Sequence, residues 1–307
     1  PNNTIVYSLS IIGSTIIAGT NAGVFLSFNN GSSWIAVNTG FPSNIVVLSL
    51  AISGGTIFAG TNYGVYLSNN NGSSWAAVNT GLTNTYVLSL AVTGSTIFAG
   101  TQGSGAFLSI NSGSSWTSVN SGLFNSFIWS LGIIGSNIFA GSTTGGVFLS
   151  TNYGNSWAAV NTGLTNIHIG SLAISGSNIF VGTSGGGVFL STKYGNSWTL
   201  VNTGLPSNPM VTSLEISGST VFAGTFGGGG VFKSINNGSS WVAVNSGLPA
   251  NTNVKSIAIN GSNIFAGTQN GGVYLSTNNG GSWTAVNTGL PSNVTVNDIA
   301  ISGSNIF

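Results

Sequence analysis

The sequence is almost without charge. Only Lys193, Lys233, Lys255, Glu215 and Asp298 carry any, 2% of 307 residues, and there is no arginine. The pI near 8.6 therefore reports a net charge of +1, not a basic surface. This excludes nucleic acid as a partner, because counterion release needs several Lys or Arg along one face. Cysteine is absent as well, which removes any disulfide framework, thiolate metal site or cysteine nucleophile. Apolar runs such as "IVVLSLAI" (45–52) are too short and too interrupted by Ser to insert in a bilayer. Residues 1–20 lack the charged start of a signal peptide. No segment shows helical periodicity. No cofactor and no metal is implied.

What remains is a chain 41% hydrophobic and 10% aromatic, able to build a core under a surface of Ser, Thr, Asn and Gly. Trp34, Trp75, Trp116, Trp157, Trp198, Trp241 and Trp283 recur at intervals of 41, 41, 41, 41, 43 and 42 residues. Such a period marks a repeat architecture. Each unit has a first half like "SLAISGSNIFVGT" (171–183), where Leu172 and Ile174 alternate with small residues as in a strand, followed by a turn and a second short strand. The second half, like "GGVFLSTNYGNSWAAVNTG" (145–163), supplies two more strands around a tight turn. Four antiparallel strands per unit at this period predict an all-β fold, a β-propeller forming one domain over residues 1–307. The first half occurs eight times and the second seven, because residues 1–17 match 291–307 position for position. Seven or eight blades are compatible with this count; the extra half favours eight, and reads as part of a longer chain.

The tight turn runs Ser27-Phe-Asn29-Asn-Gly31-Ser-Ser-Trp34 in the first unit and Ser276-Thr-Asn278-Asn-Gly280-Gly-Ser-Trp283 in the last. It resembles the Asp-box, or BNR, repeat of sialidase-like propellers, Ser-x-Asp-x-Gly-x-x-Trp, and does so in seven in-register copies. The Asp position here holds Asn29, Asn70, Asn111, Asn152, Asn236 and Asn278, and Lys193 in the fifth unit. An Asx turn tolerates the change, since an amide oxygen accepts a backbone N–H as a carboxylate does. A calcium loop or an acid/base site does not. The motif is therefore read as a structural corner. The resemblance brings sialidases into view, but their arginine cluster has no counterpart here. A general glycosidase needs two flanking carboxylates, and Glu215 and Asp298 lie two units apart. No catalytic residue is assigned. Lys255, in the unit between them, suggests a structural ion pair, with Asp298 the closer acid in register. With so few titratable groups, stability is expected to be nearly flat from about pH 5 to 9.

The units differ most at the lead-in to the first strand. One column there reads Ile5, Val46, Tyr86, Phe127, His168, Met210, Asn253 and Thr295; two residues on it reads Tyr7, Leu48, Leu88, Trp129, Gly170, Thr212, Lys255 and Asn297. The link between second and third strands also varies, with Asn21, Tyr63, Gln102, Thr143, Ser184, Phe226 and Gln269. In an up-and-down blade both segments open on one rim. Tyr7, Tyr63, Tyr86, Phe127, Trp129, His168, Met210, Phe226 and Lys255 are thus the candidate ligand-binding residues. Aromatic rings among amides and hydroxyls suit a glycan or a protein segment. The expected function is a non-enzymatic binding module, extracellular or at the cell surface. The alternatives are a structural unit of a surface layer or filament, for which weak charge repulsion favours self-association, and, less favoured, a divergent glycoside hydrolase.

Overall fold

A computed structural model describes residues 4–12, 15–29, 33–124, 127–287 and 293–299, with the backbone of 301–302 and 305–306. The strands form seven four-stranded antiparallel sheets, each in simple sequence order, and the described residues contain no helix. The fold is all-β, a seven-bladed β-propeller. Blade one comprises Val6–Ile12, Thr15–Thr20, Gly23–Ser27 and Ile35–Ala36. The first strands of blades two to seven begin at Val47, Val87, Ile128, Ile169, Met210 and Val254. The preference for eight blades is corrected: residues 291–307 hold only the first half of a repeat, without the third and fourth strands of a blade, and contribute the short strands Ile301–Ser302 and Asn305–Ile306. The chain divides into two compact units, residues 1–159 with 305–307, and residues 160–304. The first holds blades one to four, the second blades five to seven.

Burial follows the period of each strand. The second strands, of the type Thr-Ile-Phe-Ala-Gly-Thr, are buried along nearly their whole length, which is why they read as continuous apolar runs rather than alternating ones. Phe58, Phe98, Phe139, Phe180, Phe222 and Phe265 supply the largest of these side chains. Where the next blade approaches, only glycine fits: a Cβ on Gly60 would lie 2.8 Å from Val87 Cγ1. The outer strands are two residues long and exposed, an edge too short to recruit foreign strands.

Trp75, Trp116 and Trp157 in the first unit and Trp241 and Trp283 in the second fasten each blade to the one before it, and Trp198 bonds Val160 and Thr162 of its own unit. The indole of Trp116 donates to Val78 O at 2.6 Å and its backbone N–H to Thr80 O at 2.8 Å, and the other five repeat this pair of bonds. The corner before each Trp is closed by its own side chains. Asn70 Oδ1 accepts from Ser68 Oγ (2.8 Å) and from the Ser74 N–H (3.0 Å), and Gly72 N–H donates to Ser68 Oγ (2.9 Å). Asn111, Asn152, Asn236 and Asn278 make the same set, and Asn29 bonds Ser27 and Ser33 likewise. At Lys193 only the backbone bonds to Ser191 Oγ persist.

Candidate functional site

The first strand of every blade carries the same irregularity. Its ladder to the second strand slips by one residue near the start, leaving Tyr7, Leu48, Leu88, Trp129, Gly170, Thr212 and Lys255 as the extra residue in blades one to seven. These are the residues of the second variable column. A β-bulge breaks the pairing locally and re-aims its side chain, so one of the variable positions in the repeat is also one the backbone singles out.

Backbone hydrogen bonds place the lead-ins and the second-to-third-strand links on one edge. In the first unit, Gly64 N–H donates to Thr85 O at 2.6 Å, tying the link that carries Tyr63 to the lead-in that carries Tyr86. Gln102 N–H donates to Tyr86 O at 2.9 Å, and Gln102 pairs with Phe127 as an isolated antiparallel bridge. Tyr63, Tyr86, Gln102, Phe127 and Trp129 thus follow one another along a hydrogen-bonded path. All four aromatics are exposed, Trp129 to 53%. Ile5, also exposed, belongs with them and was visible in sequence only as a member of the same column. Tyr7 is half-buried.

The second unit builds its edge from the same bonds and different side chains. Ser184 N–H donates to His168 O at 3.0 Å and Ser184 bridges to Met210, both of whose neighbours are exposed side chains. Lys255 Nζ lies 4.7 Å from the centroid of the Phe226 ring, a cation–π contact. Asn253 Oδ1 accepts the N–H groups of Gly227 (2.8 Å) and Gly228 (2.9 Å), and its amide donates to Gln269 Oε1 (3.0 Å). This polar clamp was not foreseen; the columns gave the residues but not their meeting.

The charged side chains have particular neighbours. Lys255 sits on an aromatic face, and Glu215 senses Asp298. Burial first, and then the nearby Asp298 carboxylate, push the Glu215 carboxyl up to about 7, against a lowering hydrogen bond from Ile216 N–H. Two units of sequence separation therefore do not keep the two acids electrostatically apart. Among the described residues no three His, Asp or Glu side chains gather to hold a metal ion. Nor do the described residues contain a helix long and apolar enough to cross a membrane.

No protein-family model matches the chain, and no curated protein matches it. Solved structures do. The extracellular domain of the one component system BT4673 from B. thetaiotaomicron is 20% identical with a TM-score of 0.72, over 90% of this chain and 38% of that one. YCF48 bound to D1 peptide is 16% identical with a TM-score of 0.68, over 90% and 93% of the two chains. The GH74 xyloglucanase from Xanthomonas campestris is 14% identical with a TM-score of 0.68, over 99% and 57%. At these identities the likeness is one of fold. The neighbours include an extracellular domain, a peptide-binding protein and a glycoside hydrolase.

Proposed function

We propose that the chain is a non-enzymatic recognition module, extracellular or at the cell surface, that binds a protein segment along Tyr63, Tyr86, Phe127 and Trp129. The observation that supports this reading is that the variable positions, the bulge residue among them, gather on one edge of the blades, while the corners at the other end repeat nearly unchanged. Exposed aromatic rings beside backbone and amide groups favour stacking and hydrogen bonding over charge. A peptide on YCF48 supports a protein segment as the ligand class, and the extracellular domain of BT4673 supports the compartment. The corner is in this reading a structural Asp-box-like turn. The test is a pull-down and a glycan array run with the full chain. A protein partner lost on Trp129→Ala and Phe127→Ala supports the proposal; a glycan lost in the same variants moves the ligand class; binding that survives both variants overturns the site.

A second reading rests on Glu215. A carboxyl held near neutrality beside a second carboxylate is the pairing that glycosidic acid/base chemistry uses, and GH74 enzymes share the fold. Hydrolysis of xyloglucan or another glycan that is abolished by Glu215→Gln would establish the enzyme reading; no turnover across a β-glucan panel would remove it.

A further inference from the structure

Tyr86, Gln102 and Phe127 stand in one row. The Gln102 N–H donates to Tyr86 O at 2.9 Å, and Gln102 is paired with Phe127 on its other side. Residues directly opposite one another in antiparallel pairs project on the same face, so the row presents a phenol ring, an amide and a phenyl ring in that order. All three side chains are exposed. The main chain of Gln102 is spent within the edge, since its carbonyl accepts from Asn84 Nδ2 at 2.9 Å. Its side-chain amide is what it offers to a ligand. Trp129, two residues beyond Phe127 at the bulge, adds a third exposed ring along the strand. Tyr63 flanks the other end, because the Gly64 N–H donates to Thr85 O.

Charge and spacing restrict what can lie on this row. Residues 1–159 contain no Lys, Arg, His, Asp or Glu, so an ionic side chain laid here would give up water without gaining a counter-charge. Adjacent strands lie about 4.8 Å apart, which puts Tyr86 and Phe127, two strands apart, about 9.6 Å from each other. An extended strand repeats one face at about 6.7 Å and again at about 13 Å, and misses this interval. A helix comes near it at i, i+7, about 10.5 Å, but has spent its carbonyls internally and offers the Gln102 amide no main-chain acceptor. A polyproline II helix turns once in three residues, about 9.3 Å, and its backbone carbonyls are unpaired. Its i and i+3 residues match the two rings, with a carbonyl between them for Gln102.

We infer that this row binds an uncharged, proline-rich segment of another protein in the polyproline II conformation, with residues three apart on Tyr86 and Phe127 and a backbone carbonyl on the Gln102 amide. The inference rests on the edge being a site for a protein segment, and names the kind of segment. Proline-rich segments dock on aromatic-lined surfaces, and because they are extended before they bind, little conformational entropy is lost. Trp129 and Tyr63 carry the contact beyond a single turn. The second unit repeats the backbone of the row, with the Ser184 N–H donating to His168 O at 3.0 Å and Ser184 paired with Met210. It sets an imidazole and a thioether where the first unit has phenol and phenyl rings, and so provides an internal control.

Fluorescence anisotropy of a labelled, end-capped Ala-Pro-Pro repeat of about twelve residues, roughly four turns of this helix, titrated with the full chain, tests this. A proline-free Thr-Gln repeat of the same length is the comparison. The expected result is saturable binding of the proline repeat and none of the Thr-Gln repeat. Tyr86→Ala and Phe127→Ala should each weaken binding by about tenfold or more, the scale of an aromatic anchor lost from an interface. Gln102→Ala should weaken it less, and Met210→Ala in the second unit should leave it unchanged. Circular dichroism of each variant confirms that it is folded. Proline-repeat binding that survives both Tyr86→Ala and Phe127→Ala overturns the row as the site. A Thr-Gln repeat that binds as tightly, and is lost in the same variants, overturns the polyproline conformation while the protein-segment reading stands. No binding of the proline repeat overturns the inference as well; a protein partner captured through Phe127 and Trp129 then preserves the protein-segment reading, and capture of none removes both.

Discussion

The two ends of each blade solve the same problem of reversing a chain, and they do so by opposite means. At the corner, Asn70 and its counterparts brace the turn with their own side chains, so changing the residue removes bonds that the turn uses, as at Lys193. At the lead-in, the bulge is set by strand register alone, and residues as different as Gly170, Trp129 and Lys255 occupy it. Where side-chain hydrogen bonds define the backbone, identity is constrained; where the ladder defines it, the side chain is left for other uses.

The largest test of this contrast compares two tryptophans. Trp116→Ala, in the corner system, is expected to cost about 3–5 kcal/mol, as for a buried aromatic truncation, whereas Trp129→Ala at the bulge is expected to stay within about 0.5 kcal/mol; denaturant unfolding measures both. Equal losses would mean that the bulge residue is part of the core.

Glu215 breaks the contrast from a different side, since it is a charge in a column otherwise of Ser, Ala and Gly. Its carboxyl is raised above its ordinary value to about 7. The folded state therefore binds the proton more tightly than the unfolded chain does, and the stability this gives is full below about pH 4.5 and lost as pH rises toward 7, about 3 kcal/mol in all. The flat profile expected from composition is thus replaced by a falling one in this window, and Glu215→Gln should flatten it in thermal melts from pH 4 to 9 (about five units, spanning both titrations).

Lys193 is the corner that lacks its cap. Lys193→Asn restores an acceptor for the Ser197 N–H, as Asn152 provides for Ser156 at 3.0 Å, and is expected to stabilise by about 1 kcal/mol, the usual scale of an Asx cap. No gain in unfolding midpoint would show that the backbone bonds to Ser191 suffice. The smallest effect is expected at the lead-ins. Raising salt from about 0.05 to 0.5 M should leave ligand affinity almost unchanged, because stacking and amide contacts are not screened; a steep salt dependence would assign binding to Lys255 rather than to the aromatic edge.

Much of this was readable in the sequence because a repeat averages out ambiguity. One Ser-x-Asn-x-Gly-x-x-Trp could be many things; six in register, with a seventh that has Lys193 for Asn, define a blade. The same comparison exposed the variable columns. It could not show that Leu48, Leu88 and Trp129 are bulge residues, since a one-residue slip leaves no mark in a pattern of period two. The meeting of Asn253 with Gln269 and of Lys255 with Phe226 was equally hidden, because each joins segments fourteen or more residues apart whose side-chain directions depend on that slip. Nor could residue spacing reveal that Asp298 acts on Glu215 across an intervening blade.

The sequence by itself determined the blade: its strands, its corner, its glycine seats and its buried second strand all follow from local pattern and from hydrogen bonds within one unit. Tertiary structure decided what a repeat cannot encode in itself. Whether a Trp is buried or exposed and whether a carboxyl is near another depend on which neighbour a blade receives. Identical residues such as Trp34 and Trp75 differ in environment because burial and electrostatics belong to pairs of surfaces, not to the chain that carries them.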